Sequence, residues 1–174
     1  MELNIGEKVS ARVREFRLPG YEQIPDVGLY LEQTVRFIDD HLAPLPNISI
    51  TNSMVSNYVK QGLIKNPVKK LYDREQIAYL IFIALAKSVL SLDDIRLLIK
   101  LQGESYPPQR AYEYFAEEFS NVLHYVFGLK GALDNVGVDN TEEKTMLRNT
   151  IFTVALKIYL DTCFAVIHEE KQET

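Results

Sequence analysis

The sequence of 174 residues predicts a mainly α fold. A winged helix-turn-helix with a short β wing is expected over 51–105. A C-terminal helical hairpin or bundle follows over 106–174, and over 1–50 helices and a loop pack on the winged module. Three observations predict this. Apolar residues recur at helical spacing in successive segments with capping residues ahead of them. The pattern breaks at Leu63 to Tyr72, where Pro67 and three lysines stand in a stretch of hairpin length. Basic charge is concentrated around that break.

Residues 1–17 place Val9, Val13 and Phe16 on one helical face. Leu18-Pro19-Gly20 and Ile24-Pro25-Asp26 then punctuate the chain, so 18–27 reads as a structured loop. Leu29 to Leu42 is expected as a helix with Leu31, Val35, Ile38 and Leu42 on one stripe, ended by Pro44 and Pro46. Ser49, Thr51, Asn52 and Ser53 are each able to cap the next helix. That helix runs to about Gln61, buries Met54, Val55, Tyr58 and Val59, and stops at Gly62.

Asp73 with Gln76 three residues on forms a capping-box pattern. The helix behind it buries Ile77, Leu80, Ile81, Ala84 and Leu85. Ser91 caps another helix, with Asp93 and Asp94 in its first turn, where the helix dipole favours negative charge. Tyr106-Pro107-Pro108 marks the clearest boundary. A helix over about 109–129 carries Tyr112, Phe115, Phe119, Val122, Leu123 and Val126 along one side. Gly128, Gly131 and Gly137 break the connection to a last helix over about 141–168. From Ile151 to Ile167 that helix is apolar nearly all round. The run is interrupted by Lys157 and Asp161 and is short for a bilayer, so it reads as a bundle core or a subunit interface.

Net charge is −5, but its distribution is uneven. Residues 1–50 hold five Lys/Arg against eight Asp/Glu (−3), 51–100 eight against four (+4), and 101–174 six against twelve (−6). Phosphate binding needs local positive potential rather than a basic whole protein. A solvated face that happens to be basic is the alternative. The single cysteine, Cys163, permits no intramolecular disulfide and fits a reducing compartment. The N-terminal stretch lacks the basic start and apolar run of a signal peptide. A cytoplasmic protein with no membrane span is therefore expected.

Specific residues sharpen this reading. Ser53 to Ile64, with Tyr58 shortly before Gly62-Leu63-Ile64, resembles the second helix of MerR-type regulators. Tyr72-Asp73-Arg74-Glu75 is similar to that family's exit from the wing, and Ser91-Leu92-Asp93-Asp94-Ile95 to the start of its next helix. A closer resemblance, over about 18–100, is to a bacterial family, domain of unknown function 1836. It rests on Leu18-Pro19, Ile24-Pro25-Asp26, Leu29-Tyr30, Gln33, Asn57-Tyr58-Val59-Lys60 and Pro67-Val68-Lys69-Lys70. The resemblance implies a MerR-like DNA-binding module and carries no activity with it. The chain departs from MerR regulators in three ways. A proline-containing link precedes residue 51, Asn57 stands where those regulators have an arginine, and no long dimerisation helix is evident.

On this reading the N-terminal part of the second helix faces base edges in the major groove of double-stranded DNA. Thr51, Asn52, Ser53, Ser56 and Asn57 are the candidates there, since Asn pairs with adenine and hydroxyls reach bases or phosphate. Tyr58 has two readings, a core ring or a hydroxyl on a phosphate. Lys60, Lys65, Lys69, Lys70 and Arg74 would neutralise phosphates. The Lys69-Lys70 pair is the first candidate; the alternative, compatible with it, is that these lysines only keep a short edge hairpin from pairing with another chain. The last helix is expected to hold a homodimer or the centre of a monomeric bundle.

No enzyme is expected and no cofactor. Cys163 and His168 lie on different helix faces. Asp39, Asp40 and His41 are sequence neighbours that do not share a face. Glu117-Glu118 and Glu142-Glu143 read as solvated charges, and His124 as a partly buried histidine. No phosphate-cradling glycine loop is present. A competing class is a protein-interaction adaptor on the same fold. A small effector in the C-terminal helices, walled by tyrosines, is a third possibility, its identity unknown.

Overall fold

The structure, a computed structural model, describes residues 4–137 and 139–173. The first three residues of the helix expected over 1–17 lie outside them. Among the described residues the chain forms α1 (Ile5–Val13), a 3-10 turn (Tyr21–Gln23), α2 (Leu31–Leu42), α3 (Asn52–Lys60), α4 (Arg74–Ala86), α5 (Leu92–Ser105), α6 (Pro108–Val126) and α7 (Glu142–Glu173).

The caps fall where the sequence put them. Thr51 accepts from the Met54 N–H, Asp73 from the Gln76 N–H, and Ser91 from the Asp94 N–H. Gln76 returns its Oε1 to the Asp73 N–H, closing the capping box. Gly62, at φ 72°, ends α3. Its N–H reaches the Val59 carbonyl at 3.0 Å and the Leu63 N–H reaches that of Tyr58 at 2.9 Å. This pair of bonds satisfies carbonyls a helix end leaves open, and it needs a left-handed residue.

The short β wing is not formed. No strand occurs among the described residues. Two isolated bridges stand in its place, Val68 with Leu71 and Leu29 with Tyr72. Pro67 has no N–H to extend a ladder. The carbonyls of Lys65 and Asn66 are instead bonded by the Gln76 side chain. Leu29, expected in the second helix, lies before it and exchanges both backbone bonds with Tyr72 at 3.0 and 2.8 Å.

One apolar core runs through the molecule. α4 is its centre, with Ile77, Leu80, Ile81, Ile83, Ala84 and Leu85 all buried. α2 packs on α3 and α4. α7 packs chiefly on α6, then on α1 and α5. α1 therefore lies along the last helix. Its outward ion pairs, Lys8 with Glu170 and Arg12 with Glu169, fix that register. In the same core Phe16 meets Phe119 edge-to-face, and Phe115 meets Phe119 at a tilt of 45°.

Two other features depart from the sequence reading. Glu118 is not solvated. It is 1% exposed and pairs with Arg148 at 3.0 Å, with Asn121 donating to its other oxygen. α7 is longer than the apolar run that suggested it. It is long and apolar enough to cross a membrane by length and composition, and a third of its most apolar window is buried inside the molecule. Met146, Leu156, Leu160 and Phe164 stand exposed along it, Phe164 at 57%.

Candidate nucleic-acid interface

α3 is amphipathic in a particular way. Val55 and Tyr58 are buried, and Met54 and Val59 half-buried, on the side that packs on α2. The opposite face carries Asn52, Ser53, Ser56, Asn57 and Lys60, all exposed. These positions follow the three-to-four-residue helical repeat, so they form one polar strip. Thr51 heads it, its hydroxyl held by the cap. The strip offers donors and acceptors without a carboxylate. Asn57 accepts a bond from the Gln61 amide, which orients its own amide group along the helix. Tyr58 is 3% exposed, so its ring belongs to the core. Burial raises its hydroxyl above the usual tyrosine range.

The link before α3 is rigidly held. Leu45, Ile48 and Ile50 are buried. Asp39 accepts from the Ile50 N–H at 3.0 Å, and Lys87 donates to the Ser49 carbonyl at 2.6 Å. The proline-containing insertion thus behaves as a packed strut that sets where Thr51 begins the helix. Burial lowers the Lys87 pKa, and Asp39 offsets part of that shift.

Beyond α3 the backbone turns at Lys69-Lys70. Both are exposed and both adopt positive φ, 51° and 66°. Two successive left-handed residues closed by reciprocal Val68–Leu71 bonds of 3.2 and 2.9 Å make the tight reverse turn of a two-residue hairpin. The turn thrusts two ammonium groups outward. Lys60 and Lys65 are also exposed, and none of the four takes part in an ion pair among the described residues.

Arg74 belongs elsewhere. Its guanidinium donates to the Ile24 carbonyl at 2.7 Å and to Glu22 at 3.0 Å, lies 3.8 Å from Asp26, and covers the Tyr21 ring. It clamps the 3-10 turn to the start of α4 and is not available to a phosphate.

Sequence reasoning missed several residues of this surface. Arg96 of α5 donates to the Gln61 carbonyl at 2.9 Å and lies beside the end of α3. Val27, Tyr30 and Val68 are exposed at 79, 56 and 73%, and the two bridges bring their segments together around the lysine turn. One signal was available in the sequence: residues 41–72 contain no Asp or Glu. Among the described residues no group of His, Cys, Asp or Glu is placed to hold a metal ion.

The family model described as Domain of unknown function (DUF1836) matches residues 19–115. The match spans the clamp, the strut, α3, the lysine turn, α4, α5 and the first turns of α6. It covers more than half of the chain, and the chain belongs to that family. No curated protein and no solved structure matches it.

Proposed function

We propose that this member of the DUF1836 family binds double-stranded DNA as a transcriptional regulator of MerR-like helix-turn-helix type. α3 enters the major groove, and a tight lysine turn takes the place of the expected wing. The observation that carries the reading is the acid-free stretch 41–72, folded into a polar helix face that ends in Lys60 and is followed by exposed Lys65, Lys69 and Lys70, all four lysines without ion pairs among the described residues. Side-chain amides and hydroxyls are among the groups that read base edges. The lysines supply the phosphate attraction that orients the helix without encoding sequence. A gel shift with mixed genomic fragments at low salt tests it: the chain retards DNA, and Lys69→Glu with Lys70→Glu abolishes retardation while circular dichroism is unchanged. Retardation by the double variant equal to the parent would refute the role of the turn. No retardation by the parent would favour the adaptor reading, with Val27, Tyr30 and Val68 as the docking patch.

The same reading places the protein in a bacterial cytoplasm and calls for two copies on a two-fold operator. The exposed strip Leu156, Leu160 and Phe164 is the surface we assign to the second copy. Lys157 and Asp161 beside it neutralise each other at 2.5 Å, so two like copies meet there without unpaired charge. Sedimentation of the parent as a dimer and of Leu160→Glu as a monomer supports this. A monomeric parent that floats with phospholipid vesicles would contradict it.

A further inference from the structure

His124 of α6 meets the segment that follows α1 with a single ring nitrogen. Its Nε2 lies 2.8 Å from Nη1 of Arg17 and 3.2 Å from the Val13 carbonyl oxygen. A guanidinium only donates and a carbonyl only accepts. The nitrogen serves Arg17 when it is bare and Val13 when it carries a proton, so it serves one of them at a time.

Arg17 has a matching choice. Its Nη1 carries two hydrogens and has three acceptors within reach: the Phe16 carbonyl at 2.7 Å, His124 Nε2 at 2.8 Å and the Arg14 carbonyl at 3.3 Å. The long Arg14 contact is the one left to close when the ring stops accepting. Each partner thus has a second bond to turn to. The segment also keeps other anchors on α6 through the exchange. Phe16 is buried edge-to-face against Phe119, and the Tyr112 hydroxyl donates to the Pro19 carbonyl at 2.7 Å.

The charges around the ring set the direction. Arg17 and Lys130 are the cations that act on it, and Lys130 is ion-paired with Asp134. Glu113 and Glu117 of α6 line the same open groove of about 510 Å³ as these residues. Among the described residues no carboxylate is hydrogen-bonded to the ring or to Arg17. Burial, and then the Arg17 charge, disfavour the imidazolium. When it forms, two cations face each other across a hydrogen-bond distance and the exposed one moves.

We propose that His124 and Arg17 form a proton-driven latch: the neutral ring accepts from Arg17, and the imidazolium donates to the Val13 carbonyl and expels the guanidinium toward Arg14 and the groove. Proton uptake then changes the groove lining from two cations against three carboxylates to three against three.

The test is a long-range proton–nitrogen NMR correlation of the imidazole rings of the full chain, from about pH 8 to about pH 4.5, on either side of the ordinary histidine value. The Arg17 guanidinium resonances are followed in the same samples, and His124→Gln identifies the His124 signals. At the alkaline end Nε2 is expected bare, with the ring proton on Nδ1. As the ring titrates, the Arg17 resonances shift with the same midpoint and lose their protection from exchange with water. Arg17→Gln keeps a donor and removes the charge; Arg17 is exposed, so the core is left intact. That variant raises the His124 midpoint by about half a unit or more. A proton on Nε2 at the alkaline end, Arg17 resonances that ignore the His124 midpoint, or an unmoved midpoint in Arg17→Gln would each overturn the latch. None of these outcomes depends on whether the chain binds DNA.

Discussion

Lys69 and Lys70 occupy backbone positions where Asn-Gly fits without strain and where an L side chain costs about 1 kcal/mol or more. Both hold positive φ, so the turn keeps two cations at a cost in stability. Lys70→Gly is expected to raise stability by about 1 kcal/mol in urea unfolding and to weaken DNA binding; loss of stability would show that the lysine is held for packing. Arg74 acts in the opposite sense. Arg74→Ala removes charge-assisted bonds to Ile24 and Glu22 and should cost about 2 kcal/mol, with faster hydrogen exchange at Ile24, whose N–H closes the 3-10 turn on the Tyr21 carbonyl. The salt dependence of DNA binding should stay the same, since that guanidinium does not face a phosphate. Sequence reading placed both residues in one group because they share charge and neighbourhood. What separates them is the long-range partner set Glu22, Ile24 and Asp26. Glu118 was misjudged for the same reason, its partner Arg148 being supplied by another helix.

At the scale of elements, local signals were legible and non-local ones were not. Thr51, Asp73, Ser91 and Gly62 declared the helix ends because a cap is made within a few residues of the end it serves. Gly62→Ala therefore has a direct expectation: with φ at 72° it should destabilise by about 1 kcal/mol, measurable by thermal or urea unfolding. The wing could not be read in the same way. A ladder depends on which distant segment pairs with it, and here Leu29 pairs with Tyr72 while Gln76 takes the carbonyls of Lys65 and Asn66. Apolar spacing correctly marked the buried face of α3, and its complement gave the polar strip from Asn52 to Lys60. The proline link looked like a departure from the helix-turn-helix plan. Folded, it is a strut held by Asp39 and Lys87.

The whole molecule is tied together by contacts between its ends. α1 lies along α7, and the segment after it docks on α6 through His124. The His124 Nε2 lies 2.8 Å from an Arg17 nitrogen and 3.2 Å from the Val13 carbonyl. Because arginine only donates and a carbonyl only accepts, Nε2 serves Arg17 when it is unprotonated and Val13 when it carries the proton. Burial, then the Arg17 charge, lowers the His124 pKa below its ordinary value near 6.5. A depressed basic group stabilises the fold above its unfolded pKa, and that contribution is lost as pH falls through the lower folded value. With the intrinsic pH dependence of exchange divided out, protection at Val13 and Phe16 should therefore fall in the parent as pH drops below the ordinary histidine range. In His124→Gln protection should be insensitive over that range; an equal fall in both would assign the effect to another group.

The central claim is that the surface built by the acid-free stretch 41–72 meets the DNA backbone through the exposed lysines. It is tested most directly by the slope of log affinity against log salt for a DNA duplex, measured by fluorescence anisotropy in the parent and in Lys69→Gln with Lys70→Gln. Each phosphate contact contributes about 0.9 to that slope. The account predicts a steep slope in the parent and a loss of about 1.8 in the double variant, with secondary structure unchanged. An identical slope in the two proteins, or affinity in the parent that does not fall with salt, would contradict it.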